Sequence, residues 1–455
     1  MRSRSCVPMR TSARRCLVAV VLTLPLGLAT VAWAEHRPTA TSHAPKVADA
    51  EAGNPFSGMA TLERVALVTA VLERNPTIEA AHAAWRAAEA RPCQAGALED
   101  PMLTYSLAPA SIGAADLPFG QVIDFSQRIP FPGKRALRAS AASDEARAMK
   151  DDYEGARRDV ALMASTLFDD YYVVTRSLEI KGELDRLLDN VKRSAQAGYA
   201  SGRGAQASLI RIDIEKTHIE HDKIMLISER EVIEGRINAL LHRAPAAVLP
   251  PPPLHMEILG TADVELASLQ DMAMHRAEVA AADARIDAAD ATARLARREY
   301  LPDFGAGASY NSMWDDPEHR VMVGVSLNLP LQFGRRSAAV DEAEAELMQR
   351  RSERAAIIDR IAADVEATHH TLLAADHVVS LYDERLIPAA RDSVASARAA
   401  FETGNADLDL LLEAERALRD AELSSVSALA DRNRRYAELQ RTVGQMPGTD
   451  GEEPR

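Results

Sequence analysis

Hydrophobic and polar residues alternate in four short stretches of this chain, and each pair of stretches is followed by a much longer pattern of helical period. In the first stretch Leu103, Tyr105 and Leu107 share one side, and Thr104, Ser106 and Ala108 the other. In the second, Ile123 and Phe125 oppose Val122, Asp124, Ser126 and Arg128. In the third, Phe304, Ala306, Ala308 and Tyr310 oppose Gly305, Gly307, Ser309 and Asn311; in the fourth, Val321, Val323, Val325, Leu327 and Leu329 oppose Met322, Gly324, Ser326 and Asn328. Period two is the signature of a half-buried strand, so strands are predicted at about 101–108, 121–129, 303–311 and 320–329. The helical patterns run over about 134–198, 205–242, 335–402 and 407–443. At 1.5 Å per residue the longest of these measure roughly 100 Å.

Proline and glycine punctuate the pattern in matched places. Pro130 and Pro132 stop the second strand, because proline has no ladder donor, and Gly133 releases the chain into helix. Pro330 and Gly334-Arg335-Arg336 do the same after the fourth strand. Gly133 and Gly334 lie 201 residues apart, as do Pro101 and Pro302, and Gly202 and Gly404 lie 202 apart. The pattern therefore predicts a duplication, with a first repeat over 61–249, a Pro-rich linker at 250–260 and a second repeat over 261–443. Pro388 is expected to kink the helix that contains it. Residues 35–60, without periodicity, are expected to form a flexible arm, and 444–455 a disordered acidic tail.

Composition adds an address. Residues 1–34 read as a secretory signal: Arg2, Arg4, Arg10, Arg14 and Arg15 precede the apolar Leu17–Val31 run, and Ala32-Trp33-Ala34 fits a cleavage site. Removing it takes the formal charge from −14 to −19, since five arginines and no acids leave. Such acidity argues against a nucleic-acid partner. Cys93 is then the only thiol, so no internal disulfide forms. Beyond residue 34 no apolar run approaches the length of a spanning helix, and any crossing of a membrane must use strands.

The strands have that length, with one apolar face and one small or polar face, as a barrel with a wet lumen requires. The residues expected to face lipid are Leu103, Tyr105, Ile123, Phe125, Phe304, Tyr310, Val323 and Val325. Four strands cannot close a barrel, and an open edge is not tolerated in lipid. The chain must associate, and three copies supply twelve strands. The turns at Gly202 and Gly404 reverse the long helices.

The order and duplication of these elements resemble the TolC-type outer membrane efflux protein family over about Leu62 to Val443. Asp100-Pro101-Met102, Ser126 to Lys134 and Gly404 to Leu410 resemble its heavy-metal efflux branch, the CusC-like and CzcC-like proteins. The resemblance implies a mainly α fold carrying a trimeric twelve-stranded membrane β-barrel, continued by a helical periplasmic tunnel. It implies an inner-membrane pump, of resistance-nodulation-division type, and a periplasmic adaptor protein as partners. It places the adaptor contacts at Gly202 and Gly404, which are equally turn residues. It places a ring of acids at the tunnel entrance. By spacing Glu413 matches one of them; Leu410 stands at the other, with Asp409 beside it. Asp407 joins this group or serves as a helix N-cap. Arg211 on the matching helix of the first repeat is expected to pair with an acid and hold the entrance shut.

No catalytic motif and no cofactor site is read in the chain. His369-His370 is expected on a solvated surface. Met272, Met274 and His275 are expected to pack rather than bind metal. A type I secretion duct for polypeptides and a periplasmic coiled-coil adaptor remain as alternatives.

Overall fold

A computed structural model describes residues 55–113, 119–200, 206–403 and 405–448. The expected leader, most of the N-terminal arm and both turn glycines, Gly202 and Gly404, lie outside the described residues. Among those described, the fold is mainly helical. Helices α1 (Arg64–Arg74) and α2 (Pro76–Ala95) precede strands β1 (Met102–Leu107) and β2 (Gln121–Ile129). The long α3 (Lys134–Ala200) and α4 (Gln206–Leu240) follow. Then come α5 (Leu266–Met274), α6 (Ala277–Arg298), β3 (Asp303–Asn311), β4 (Val321–Asn328), α7 (Phe333–Leu381), α8 (Ile387–Glu402) and α9 (Leu408–Thr442).

Local chemistry sets the breaks. Asn75 ends α1 and caps α2, accepting a hydrogen bond from the Thr77 N–H at 2.9 Å, with Pro76 in the first helical position where its missing donor costs nothing. The helix predicted over 335–402 is interrupted by one π-helical turn, Tyr382–Leu386. That turn lies just before Ile387-Pro388. The Pro388 ring displaces the carbonyl four residues earlier, and the wider turn absorbs the displacement.

The main core forms where α1, α3 and the end of α4 meet. Leu62, Leu67, Val68, Val71, Val160, Ala164, Phe168 and Ile237 are buried there. Inside it, Arg64 forms a bidentate pair with Asp169 and hydrogen-bonds the Ser165 hydroxyl at 2.8 Å. The Pro-rich segment joins this core: Tyr171 donates to the Pro250 carbonyl at 3.2 Å, and the Leu62 N–H to the Pro251 carbonyl at 2.8 Å.

Two expected flexible ends need correction. Phe56, in the arm assigned to 35–60, is buried in the core. The tail assigned from Gly444 is ordered at its start. Gly444, at φ +85°, reverses the chain after α9, so that Gln445 N–H reaches the Gln440 carbonyl at 2.8 Å and Gly444 N–H the Arg441 carbonyl at 3.1 Å. The reversal returns Met446 to the core.

The four strands form one antiparallel sheet in the order β1-β2-β3-β4. Strands β1 and β4 are its edges.

Candidate functional site

The sheet register decides which side chains share a face, since directly opposed residues point the same way. One line across the sheet is Leu103–Phe125–Ala308–Val323, and the next is Tyr105–Ile123–Tyr310–Val321. Toward the helical side follow Gln127–Ala306–Val325 and Ile129–Phe304–Leu327. All eight residues expected to face lipid thus lie on one face, which is apolar except for glutamines and carries no charge. It is bare in the single chain: Val323 is 83% and Val325 81% exposed.

The other face carries Thr104, Ser106, Asp124, Ser126, Gly305, Gly307, Ser309, Gly324 and Ser326, mostly small or polar, with Met102, Val122 and Met322 among them. A recess of about 760 Å³ opens over β2, β3 and β4. Small residues keep this face open: a side chain on Gly305 would meet the Ser326 hydroxyl.

Where the strands become helices, two junctions can be compared. The first runs from β2 through Pro130-Phe131-Pro132 to Gly133, whose φ is +92°. A Cβ there would strike the Arg298 guanidinium, which donates to the Pro132 carbonyl at 3.0 Å. Lys134 is 1% exposed. Its ammonium binds Glu299 at 3.0 Å, Asp303 at 2.9 Å and the Leu301 carbonyl at 2.9 Å. Asp303 also accepts from Arg128 and from the Phe131 N–H, each at 3.0 Å. Lys134, with Arg138, which donates to Glu299 at 3.2 Å, knots the first strand-to-helix corner to the second half of the chain.

The second junction runs from β4 through Leu329-Pro330-Leu331-Gln332 into α7. Here Leu329, Leu331 and Phe333 are exposed, Leu331 by 73%, and Arg335 is exposed as well. One contact is common to both corners. Arg135 Nε donates to the Gly96 carbonyl at the end of α2, and Arg336 Nε to the Glu299 carbonyl at the end of α6, each at 2.8 Å. Arg135 and Arg336 are 201 residues apart, the spacing that also separates Gly133 and Gly334, whereas the Lys134 knot joins residues more than 160 apart that do not match between the repeats.

At the far end of the helices, Arg211 on α4 forms an ion pair with Asp409 in the first turn of α9. Arg416 pairs with Glu215 across the same two helices. Beneath them Leu184, Leu188, Ile212, Ile219, Leu408 and Leu412 form an apolar cluster. Asp407 occupies the N-cap position of α9, but its side chain makes no cap bond. Glu413 is exposed and forms no ion pair among the described residues. The structure therefore brings Arg211 and Asp409 together and leaves Asp407 and Glu413 exposed, without an ion pair among the described residues.

Helices α3 and α4 are zipped by lysine–aspartate pairs: Lys181–Asp222 at 2.8 Å, Lys216–Asp185 at 3.0 Å, and Lys192–Asp213. The hydrogen bond from Lys216 holds the Asp185 carboxyl below its usual range, and that from Lys181 does the same to Asp222.

His369 departs from the expected solvated surface. It is buried on α7, close to Leu372 in sequence, while His370 is exposed. Successive helical residues diverge by about 100°, so one of the two turns inward. Met272 and Met274 pack against the cluster that contains Leu269, Ile361 and Leu439. Among the described residues no group of three or more His, Cys, Asp or Glu side chains could hold a metal ion, and no helix is long and apolar enough to cross a membrane.

Residues 268–445 match the model of a family described as outer membrane efflux protein. The fold is similar to that of the outer membrane protein VceC from Vibrio cholerae, at 17% identity, with 84% of this chain and 96% of that one covered and a TM-score of 0.70. It is similar to CusC, solved in a study of folding and transmembrane channel formation, at 16% identity, 85% and 93% coverage and a TM-score of 0.72. It is also similar to the open state of the MtrE outer membrane channel from Neisseria gonorrhoeae, at 15% identity, 84% and 89% coverage and a TM-score of 0.68. No curated protein matches in sequence. These findings bear out the resemblance to outer membrane efflux proteins, without singling out its heavy-metal branch.

Proposed function

With an outer membrane efflux protein match over residues 268–445 as the premise, we propose that this chain is the outer-membrane duct of an efflux system. The observation that carries the reading is the sheet. Strands β2 and β3, nine residues each, are roughly 30 Å long, and tilted by about 40° they rise roughly 23 Å, close to the apolar band of about 25 Å on an outer-membrane barrel. The sheet's apolar face is uncharged and bare, so lipid is the solvent that suits it; its small, polar face suits water. Two edge strands with unpaired backbone groups cannot stand in lipid.

The edges close only against other copies. Two copies would give eight strands, a ring about the size that side chains fill. Three give twelve and leave a lumen, and three is the number that the family resemblance implies. The duplicated strand-strand-helix-helix unit then contributes six times to one ring. The long helices continue from the strands into the periplasm as the tunnel wall, and Gly202 and Gly404 are the proposed points of contact with the adaptor of an inner-membrane pump. The duct itself performs no chemistry; solute moves along it, driven by the pump.

At the tunnel end, threefold symmetry gathers three copies each of Asp407, Asp409 and Glu413, which favours cations. The Arg211–Asp409 pair ties α9 to α4 and holds this end narrow. Arg211→Ala frees that tie, and single-channel recording should show a several-fold higher conductance; unchanged conductance would remove Arg211 from the gate. The membrane reading is tested by fractionation of cells making the full chain. Recovery in the outer membrane, as a heat-dissociable oligomer, is the expected result, and recovery in the soluble periplasm would overturn it.

A further inference from the structure

We infer that β4 of one copy pairs with β1 of the next in a particular register, with Val325 opposite Tyr105, Leu327 opposite Leu103 and Val323 opposite Leu107. This rests on the ring proposed above and specifies its seam.

Backbone direction comes first. Ala108 N–H bonds the Gly120 carbonyl, and Asn311 N–H bonds the Arg320 carbonyl. Hydrogen-bonding direction alternates along an antiparallel strand. The even-numbered residues of β1 and β4 therefore bond inward to β2 and β3. The odd-numbered ones, Leu103, Tyr105 and Leu107 on one edge and Val321 to Leu327 on the other, aim their N–H and C=O groups at the open edges. The same odd-numbered residues carry the apolar face on both strands. Odd must therefore meet odd: any other register turns one strand's apolar side chains into the lumen.

Geometry then limits the shift. The line through the chain perpendicular to its strands is Leu103–Phe125–Ala308–Val323. In an untilted ring Val323 would meet Leu103 of the next copy. Twelve strands about 4.8 Å apart and tilted by about 35–45° accumulate a stagger of about 12–17 residues around the ring, at about 3.3 Å per residue. Each of three copies thus supplies about four to six. A shift of four in one direction sets Val323 opposite Leu107, and every residue of Met102–Leu107 then finds a partner in Val323–Asn328. A shift of four in the other direction sets Val323 opposite Glu99, which lies outside β1. A shift of six leaves Met102 and Leu103 opposite residues beyond the end of β4. Only the first choice pairs the whole edge that β1 offers. It also sets the aromatic Tyr105 against the β-branched Val325, a favourable cross-strand pair.

The test uses small residues on the water-facing side of the same seam, in the full chain with Cys93→Ala. In this register Ser326 lies opposite Thr104, so the two cysteines sit within disulfide reach. Membranes carrying Ser326→Cys with Thr104→Cys are oxidised and run without reductant. Several-fold more cross-linked oligomer is expected than from Ser326→Cys with Ser106→Cys or with Met102→Cys. If either of those pairs links best, the register is overturned while the ring survives. If no pair links copies in protein recovered from the outer membrane, the ring itself fails.

Discussion

The two strand-to-helix junctions differ in what a single chain completes and what it leaves bare. Each closes on the end of the preceding helix by the same arginine contact, Arg135 to Gly96 and Arg336 to Glu299. Cations at helix C-termini satisfy orphan carbonyls and suit the helix dipole. Beyond that contact the two diverge. The first lies inside the sheet, beside β3, and buries Lys134 among Glu299, Asp303 and a carbonyl. The second lies at the β4 edge and exposes Leu329, Leu331 and Phe333. The difference follows position. A corner with a neighbour in the same chain is finished with charge; a corner at an open edge is left apolar, as the proposed ring of copies requires.

The largest effect that separates them is expected at the lysine. Lys134→Ala leaves Asp303 buried with one fewer cation, and breaking such a pair costs about 3–5 kcal/mol; Arg335→Ala, at an exposed site, should stay within about 0.5 kcal/mol. Thermal unfolding of the extracted oligomers measures both, and equal losses would erase the distinction.

Next come the glycines. Gly133→Ala places a side chain at positive φ and against Arg298, at a cost of about 1–3 kcal/mol. Gly334 has no such φ and nothing within reach of a Cβ. Gly334→Ala, inside a helix, should be neutral or stabilising by up to about 1 kcal/mol. A large loss at Gly334 would mean that its corner is strained after all.

The arginines should show the shared part of the design. Arg135→Ala and Arg336→Ala each remove one charge-assisted hydrogen bond and should cost about 1–2 kcal/mol apiece, by the same unfolding measurement. A clear inequality would show that the two corners differ even in their common contact.

Much of this was legible from alternation and spacing. Period-two patterns located four strands, and because side chains on a strand can only alternate, they grouped the apolar residues of each strand; the register then set all eight on one face. The 201-residue spacing that pairs Gly133 with Gly334 also pairs Arg135 with Arg336. What spacing does not carry is a contact between unlike parts of the two halves. Lys134 and Asp303 occupy unmatched positions, and nothing local marks either as buried. The π-turn before Pro388 was legible as a break, but not as a widened turn. His369 looked like any polar residue on a long helix; its burial depends on where α7 meets its neighbours. Arg211 was expected to pair with an acidic neighbour, and the fold supplies Asp409 on α9, whereas Glu413 forms no ion pair among the described residues.

The smallest effect belongs to pH at the helical end. Asp185 and Asp222 are held below the usual carboxylate range by Lys216 and Lys181. Groups lowered in this way stabilise the fold at every pH above their unfolded value, near 3.8, and lose that contribution as pH falls through the lower folded value. Hydrogen exchange in α3 and α4 should therefore be insensitive to these pairs from neutral pH down to about 4 and should quicken only below it. Quickening near pH 6 would assign control to other groups.

The central claim, that bare apolar strands from several copies close a water-filled ring, is tested most directly by conductance. Full-length protein extracted from the outer membrane and added to a planar lipid bilayer should give discrete, long-lived steps with a preference for cations. Folded oligomer that inserts into the bilayer and passes no current, with Arg211→Ala equally silent, would contradict it.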